Sequence, residues 1–250
     1  MKRTIFLATV ITSVLGLQGC ITNSVIKSSP SEGQKAVFID GRDVLISTKR
    51  NSVSIGPVAN TLETSGRGEF IVAVKNGTRH DILFSTNHIT AHTVENDQSR
   101  ALKVFSHDEL VKEEKERQVW AAIAAGISGA ADSYSASSAG YSYSTPYSYG
   151  NNIYTPALST PTYNYSAAEA ARQEASARSE TRFARLETEG RANLMSLSTV
   201  LKKQTIFPGE THGGIVVVEL PEPSDQLKEI FFNVNVDGEI HEFKFTQKKI

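Results

Sequence analysis

Residues 230–245, with the sequence IFFNVNVDGEIHEFKF, carry the clearest structural signal of the chain. Apolar and polar residues alternate on both sides of Asp237-Gly238, a dipeptide that favours the two-residue turn of a β-hairpin. Such a turn fixes the register of the two strands and brings their apolar side chains to one face. The predicted opposing pairs are Val236 with Glu239, Val234 with His241, Phe232 with Phe243 and Ile230 with Phe245. His241 is expected to be a water-exposed residue at the rim of this hairpin.

Similar strand patterns fill two blocks, residues 36–106 and residues 204–250. They are rich in Val, Ile, Phe or Thr and are bounded by Gly, Asn, Pro or Asp. The predicted strands are 37–39, 43–47, 52–55, 69–75, 82–85, 88–94 and 101–105 in the first block, and 214–220, 230–236 and 239–246 in the second. The predicted fold class is therefore mainly β, with both blocks in one β-sandwich.

Asn76-Gly77 also has the composition of a turn, but a two-residue hairpin there does not match the apolar pattern. The opposing pairs would be Val72 with Asp81 and Val74 with Arg79. Either the connection is longer, or the two strands belong to different sheets. Consecutive strands B and C of an immunoglobulin-like sandwich are arranged in the second way.

Two segments resemble strand edges of bacterial extracytoplasmic immunoglobulin-like domains. They are IVAVKNGT at residues 71–78 and FPGETHGGIVVVEL at residues 207–220. The two β blocks together are close in length to such a sandwich, which has ~100 residues. The resemblance implies an immunoglobulin-like β-sandwich and no particular activity.

Between the blocks, residues 107–203 are predicted to form a long helical-hairpin insertion. A capping box, Ser106 with Glu109, opens the first helix, and a second box, Ser166 with Glu169, opens a helix that extends to about Lys203. The joining loop, residues 133–165, contains all eight tyrosines together with Ser, Gly, Thr, Pro and Asn. This composition predicts a disordered tip on an arm that projects from the sandwich, and it is also typical of adaptable binding loops.

The first helix contains an uncharged stretch, VWAAIAAGISGAA, at residues 119–131. Small residues recur there at four-residue steps and form two stripes. One stripe is Ala122, Gly126 and Ala130, and the other is Ala121, Ala125 and Gly129. Such stripes allow close approach of another helix. Three interpretations remain open: packing against Ala167, Ala171 and Ala175 of the second helix, a surface for self-association or a partner, and membrane insertion. Thirteen residues make only ~20 Å of helix, which is short for a membrane span.

A protein partner or a second copy of the chain is therefore expected to bind through this insertion. The predicted partner-binding residues are Trp120, Ala122, Gly126, Gly129, Tyr141, Tyr143, Tyr147 and Tyr149.

The first twenty residues have the pattern of an export signal. Lys2 and Arg3 precede an apolar run at residues 5–17 that is too short to span a membrane, and the run ends in Leu17-Gln18-Gly19-Cys20. This ending resembles the lipobox of bacterial lipoproteins. The resemblance implies cleavage between Gly19 and Cys20, acylation of Cys20 and an anchor in a membrane. Because Ile21 and not Asp follows Cys20, similarity to Gram-negative lipoproteins favours the outer membrane.

Residues 21–35 are rich in Ser, Pro, Gly and Lys and are predicted to be a tether. Fully extended, such a segment reaches about 50 Å, so the folded part would stand off the bilayer.

Composition and motifs disfavour several function classes. The chain has 26 Lys and Arg against 27 Asp and Glu, a net charge of −1, which does not favour nucleic-acid binding. A single Cys excludes an internal disulfide, and the spacing of His88 and His92 is weak evidence for a metal site. The sequence contains no G-x-S-x-G, phosphate-binding loop or dinucleotide motif, so no catalytic residue and no cofactor is predicted.

The function predicted from these observations is a lipid-anchored, non-enzymatic scaffold or interaction module of the cell envelope. A first alternative is a lipoprotein that binds a ligand or glycan on the sandwich surface, in a pocket lined by Phe70, Phe84 and Phe232. A second is a hydrolase with an unrecognised site, which would need a buried, strongly perturbed His or carboxylate in a cleft.

Mass spectrometry of the protein purified from its native membrane tests the anchor directly. We expect an N-terminal peptide that begins at Cys20 and carries fatty acyl chains, because several chains are needed for stable membrane attachment. Recovery of Cys20 as an unmodified thiol would contradict the lipoprotein interpretation.

Overall fold

The computed structural model describes residues 23–63, 66–95, 98–143 and 161–250. The described part of the chain is mainly β, with 44% of its residues in strands and 34% in helices. It divides into two compact units. Of the described residues, the β unit contains those up to His107 together with Thr199–Ile250, and the helical unit contains those between Asp108 and Ser198.

Sixteen strands and two long helices are numbered here in chain order. They are β1 Asn23–Ser28, β2 Gln34–Ile39, β3 Arg42–Thr48, β4 Ser52–Pro57, β5 Thr61–Glu63, β6 Arg67–Lys75, β7 Ile82–Phe84, β8 Ile89–Glu95, β9 Gln98–Leu102, β10 Val104–Phe105, α1 His107–Ser138, β11 Tyr141–Tyr143, β12 Pro161–Tyr163, α2 Tyr165–Ser196, β13 Gln204–Ile206, β14 Thr211–Glu219, β15 Lys228–Val236 and β16 Glu239–Lys249.

The β unit contains two six-stranded antiparallel sheets. One has the order β5-β1-β16-β15-β8-β9, and the other has the order β10-β14-β6-β4-β3-β2. Each sheet combines strands from before and after the helical unit. The two β blocks of the sequence therefore fold together.

The two sheets share one hydrophobic core. The ring of Phe70 on β6 lies 4.6 Å from that of Phe232 on β15 and 5.4 Å from that of Phe245 on β16. All three side chains are fully buried. Since Phe70 belongs to one sheet and its two neighbours to the other, these rings join the sheets across the core.

The predicted hairpin at residues 230–245 is confirmed. Strands β15 and β16 pair with Val236 opposite Glu239 and Phe232 opposite Phe243, in the register derived from the sequence. Asp237 and Gly238 have φ angles of 52° and 77°. Two consecutive positive φ angles are those of a type I′ turn, whose twist matches the twist of the flanking strands.

The expectation for His241 was wrong, because its side chain is fully buried. His241 lies opposite Val234 on the inward face of the hairpin. Its Nδ1 is 3.0 Å from the hydroxyl of Ser47 on β3, and its Nε2 is 3.4 Å from the Glu239 carboxylate. Burial lowers the pKa of His241 below its usual value.

Of the two alternatives at Asn76-Gly77, the second is confirmed, because β6 and the next strand, β7, lie in different sheets. Strand β6 pairs with β4 and β14, whereas β7 pairs with β13 in a separate two-stranded sheet and β8 pairs with β9 and β15 in the other six-stranded sheet. The buried Asn76 holds the connection, since its Nδ2 donates to the carbonyls of His80 and Ile206 at 2.8 and 2.9 Å. Gly77 has no room for a Cβ, which would lie 1.9 Å from the carbonyl oxygen of Arg50.

The tether predicted for residues 21–35 was wrong over most of its described length. Asn23–Ser28 form β1, which pairs with β5 on one side and β16 on the other, and β2 begins at Gln34. Ser24 faces inward and accepts a hydrogen bond of 3.1 Å from Nε2 of the buried Gln247. The sequence does not predict this strand because a serine occupies one of its buried positions, where an apolar residue would be expected.

Three further differences concern short elements. Strands β5 and β13 were not predicted, and His88 ends a short 3-10 helix, Thr86–His88, rather than lying in a strand with His92. The two histidines therefore do not share a strand face.

Replacing Phe232 by Ala should lower the free energy of unfolding of the β unit by about 3–5 kcal/mol, because it leaves a cavity between the sheets. Urea denaturation followed by the β-sheet circular dichroism signal measures this change. Phe231→Ala is the matched control. Phe231 is the neighbouring residue on the same strand and points to the other face, where it stacks on His92 at 5.0 Å and lies 5.6 Å from the Lys244 ammonium. Equal losses for the two variants would contradict the shared core.

The β unit should lose stability as the pH falls below about 6.5, the ordinary pKa of histidine. Because the pKa of His241 is lowered by burial in the folded chain, the unfolded chain takes up this proton first, and acid favours unfolding. Hydrogen exchange of β15 and β16 peptides between pH 7 and pH 5, corrected for the intrinsic exchange rate, measures this loss. In His241→Leu the pH dependence should be weaker; an unchanged slope would assign it to other groups.

Candidate functional site

The two helices of the helical unit pack antiparallel through small residues. Ala125 of α1 and Ala175 of α2 are buried. A Cβ added to Gly129 would lie 3.2 Å from the Ser179 hydroxyl, and one added to Gly190 would lie 2.8 Å from the side chain of Gln118. The stripe of Ala121, Ala125 and Gly129 therefore faces α2. Of the α2 alanines predicted to pack against α1, Ala175 is buried and Ala171 is half-buried, whereas Ala167 is exposed and its neighbour Ala168 is buried.

Polar contacts at both ends of this packing face fix the pairing of the helices. The Gln118 amide donates to the carbonyl of Gly190 at 3.2 Å, and Arg182 of α2 forms an ion pair of 2.7 Å with Asp132 of α1. Glu114 accepts hydrogen bonds of 2.8 Å from Arg117 and from Gln118. The hydrogen bond from Arg117 is the largest of the effects that lower the pKa of Glu114 to about 2.

A two-stranded ribbon joins the described ends of the two helices. Strands β11 and β12 pair with Tyr141 opposite Tyr163, whose rings lie 4.8 Å apart, and Tyr163 contacts Tyr165 at 4.7 Å. Gly140 lies under the Tyr163 ring, which would be 2.7 Å from an added Cβ. Of the tip predicted to be disordered, residues 133–143 and 161–165 are thus ordered.

The start of α2 also differs from the sequence expectation. Asn164 is its N-cap and accepts a hydrogen bond of 3.2 Å from the amide of Ala167, while the Ser166 hydroxyl donates to the same Asn164 oxygen at 2.8 Å. Asn is as good an N-cap as Ser, so the sequence did not distinguish Asn164 from Ser166, two residues further along the chain. Helix α1 begins at His107, directly after the predicted cap Ser106.

The face of α1 opposite to α2 is apolar and exposed. The exposed fractions are 59% for Val119, 70% for Trp120, 47% for Ile123, 68% for Ile127 and 78% for Tyr134. Residues 120, 123, 127 and 134 follow alternating three- and four-residue steps or their sum, which is the spacing of a helix-packing stripe. We call these five residues the α1 outer face.

The outer surface of α2 has a different character. Exposed ion pairs at i,i+4 spacing lie along it. They join Glu174 to Arg178, Arg185 to Glu189, and Glu187 to Arg191. Such pairs stabilise a solvated helix. The exposed apolar residues of α2, such as Phe183 and Met195, do not form a continuous stripe like that of α1.

The predicted partner-binding residues separate into three groups. Trp120, Ala122, Gly126 and Tyr141 are exposed, and Gly126 has open space around it. Gly129 lies in the packing face against α2 and is unavailable to another molecule, so its assignment was wrong. The backbone of Tyr143 lies in β11, and Tyr147, Tyr149, Gly19 and Cys20 lie outside the described residues.

Sequence reasoning missed Val119, Ile123, Ile127 and Tyr134 as parts of the same surface. Their three- and four-residue spacing was visible in the sequence. The small-residue stripes alone gave no way to decide which face of α1 meets α2.

The helical unit has a shallow groove of about 220 Å³. It is lined by Arg117, Gln118, Ala121, Ala122, Phe183, Leu186 and Glu187. This volume is below the range of about 300–1,000 Å³ typical of small-molecule sites. In the β unit, Phe70, Phe84 and Phe232 are fully buried in the core, so the ligand pocket considered from the sequence is filled by these side chains themselves.

Among the described residues, no three or more His, Cys, Asp or Glu side chains come close enough together to hold a metal ion. Within the same residues, neither helix is apolar over a sufficient length to cross a bilayer.

Comparisons of the chain with models of known protein families, with curated protein sequences and with solved structures give no significant match.

Two substitutions at adjacent positions test which face of α1 packs. Ala125→Leu should destabilise the helical unit by about 1–3 kcal/mol, because the larger side chain does not fit between the helices. Gly126→Ala should stabilise it by about 0.5–1 kcal/mol, because it removes a helix glycine where nothing obstructs a Cβ. Thermal denaturation followed at the helical circular dichroism band measures both, with Ala124→Leu on the exposed surface as control. A loss with Gly126→Ala would place this residue at an interface within the chain.

Proposed function

We propose that the β unit is an immunoglobulin-like sandwich. The order β4-β6-β14-β10 corresponds to strands A-B-E-D of that fold, and the order β16-β15-β8-β9 corresponds to G-F-C-C′. Strands β2 and β3 extend the first sheet, and β1 and β5 extend the second. In this assignment the helical unit is inserted between strands D and E.

We further propose that the protein is a lipid-anchored, non-enzymatic interaction module of the Gram-negative outer membrane and that it contacts its partner through the helical unit. The observation that carries this proposal is the α1 outer face, five large exposed side chains, four of which lie within the uncharged stretch at residues 119–131. Lysine and carboxylate side chains are depleted at the centres of protein interfaces, whereas Trp and Tyr are enriched there.

The energy available from this surface suits a contact between molecules held in one membrane. Complete burial of an apolar side chain of this size contributes about 1.5–3 kcal/mol, whereas association costs roughly 4–15 kcal/mol in translational and rotational freedom. Five side chains therefore give a modest affinity in solution. Anchoring at Cys20 raises the effective concentration of partners in the same membrane and makes such a contact sufficient.

Site-specific photocrosslinking in living cells tests this function. A photoreactive residue in place of Ile127 should give covalent adducts, and their mass distinguishes a second copy of the chain from another protein. The matched position is Phe38 on the edge strand β2 of the β unit, whose side chain is also exposed. Adducts at position 38 and none at position 127 would assign partner binding to the β unit.

A charge on the α1 outer face should abolish the adduct. Ile127→Asp introduces a carboxylate that loses its hydration at a contact, so crosslinking from a photoreactive residue at position 123 should fall at least about tenfold. Met195→Asp, at an exposed apolar position of α2, is the control and should leave the yield unchanged. The α1 outer face is not the contact if both variants crosslink like the unsubstituted protein.

A further inference from the structure

The distance between the predicted lipid anchor and the first strand is short. Strand β1 begins at Asn23, so only Ile21 and Thr22 separate it from Cys20. Three residue steps span at most about 11 Å. The polar headgroup layer of a bilayer is roughly 5–8 Å thick on each side of the hydrocarbon core. An acylated Cys20 therefore holds the start of β1 within reach of the phospholipid headgroups, in place of a tether that reaches about 50 Å.

The pairing of β1 decides which part of the β unit is held there. Ser24 lies opposite Lys249 of β16, and the amide of Ile250 donates to the carbonyl of Asn23 at 3.0 Å. The amide of Lys249 also donates to the carbonyl of Ser224, at 3.2 Å, in the connection between β14 and β15. The start of β1, the end of β16 and this connection therefore form one end of the β unit. We call it the anchor end.

The anchor end exposes the chemistry of a membrane-contacting surface. Leu227 and Ile250 are exposed apolar side chains, with 58% and 69% of their surface accessible. Lys248 and Lys249 are exposed beside them, and neither forms an ion pair within the described part of the chain. Lysine side chains at a bilayer surface interact with lipid phosphates, and exposed leucine and isoleucine partition into the interfacial region.

Acidic residues limit the electrostatic part of this contact. Glu222 and Asp225 are exposed in the connection between β14 and β15, and Lys228 is already paired with Glu95 at 2.6 Å. The two free lysines and the two free carboxylates balance. The short spacer and the apolar side chains, rather than net positive charge, therefore determine the contact.

We propose that the anchor end of the β unit rests on the phospholipid surface, with Leu227 at the depth of the headgroups and Lys248 and Lys249 beside lipid phosphates. This inference rests on the lipid anchor of the proposed function and adds an orientation to it. The Asp237-Gly238 turn lies at the other end of the β15–β16 hairpin. With about 3.4 Å for each residue, the nine residues of β15 place that turn roughly 30 Å from the anchor end.

A polarity-sensitive fluorophore on a single cysteine tests the orientation. The acylated chain that begins at Cys20 is reconstituted into vesicles of phosphatidylethanolamine and phosphatidylglycerol, with the fluorophore on Leu227→Cys in one sample and on Ile240→Cys in another. Both native residues are exposed and apolar, and they lie at opposite ends of the same hairpin. Cys20 is the only native cysteine, and its acylated thiol does not react with the label.

We expect the label at position 227 to shift its emission to the blue and to be quenched by spin-labelled lipid, and the label at position 240 to show neither effect. Vesicle binding without quenching at position 227, or with equal quenching at both positions, would overturn the orientation and leave the anchor intact. Failure of the chain to bind vesicles would instead contradict the lipid anchor, so the two failures are distinguishable.

A spacer variant tests whether the short connection holds the contact. Twelve Gly and Ser residues inserted between Thr22 and Asn23 should keep the chain on the vesicles and reduce quenching at position 227 to the level of position 240. An unchanged circular dichroism spectrum verifies that β1 still pairs. Full quenching with the long spacer would show that the short connection does not hold the anchor end at the membrane, contrary to the proposal.

Discussion

The contact of Phe70 with Phe232 and Phe245 is the constraint on which the rest of the structure depends. Phe70 precedes the helical unit in the chain and the other two rings follow it, yet all three are buried within 6 Å of one another. Neither β block can bury its apolar face alone, so the two must fold together. The chain leaves the β unit after β10 and re-enters it at Val200, which forms a β-bridge with Ile215 of β14.

The helical unit uses a different kind of packing. Glycine, alanine and serine between α1 and α2 allow close approach, and the ion pair of Asp132 with Arg182 sets the pairing of the helices. Because the helices approach closely over small residues, the α1–α2 contact has no room for the large apolar side chains of α1. Trp120 and Ile127 therefore remain on the α1 outer face, where water is a poor solvent for them. The proposed partner contact follows from this division of α1 into two apolar faces.

In the proposed arrangement, the first strand links the fold to the membrane. Because β1 pairs with β16, the end of the chain described here lies beside the start of the β unit. An anchor at Cys20 then acts on the β unit through a spacer of two residues, Ile21 and Thr22. In this arrangement, the anchor sets the orientation of the β unit relative to the bilayer as well as its location.

Local signals in the sequence determined the β15–β16 hairpin and the start of α1 after Ser106. A two-residue turn and a capping box act within a few residues of the chain, so they can be recognised in the sequence without knowledge of the fold. Only the tertiary structure decided that His241 and Ser24 face inward and that Gly129, not Gly126, meets the second helix. Their partners Ser47, Gln247 and Ser179 lie 194, 223 and 50 positions away in the chain. A polar or small residue has no apolar periodicity of its own, so the side chains that surround it decide which face it occupies.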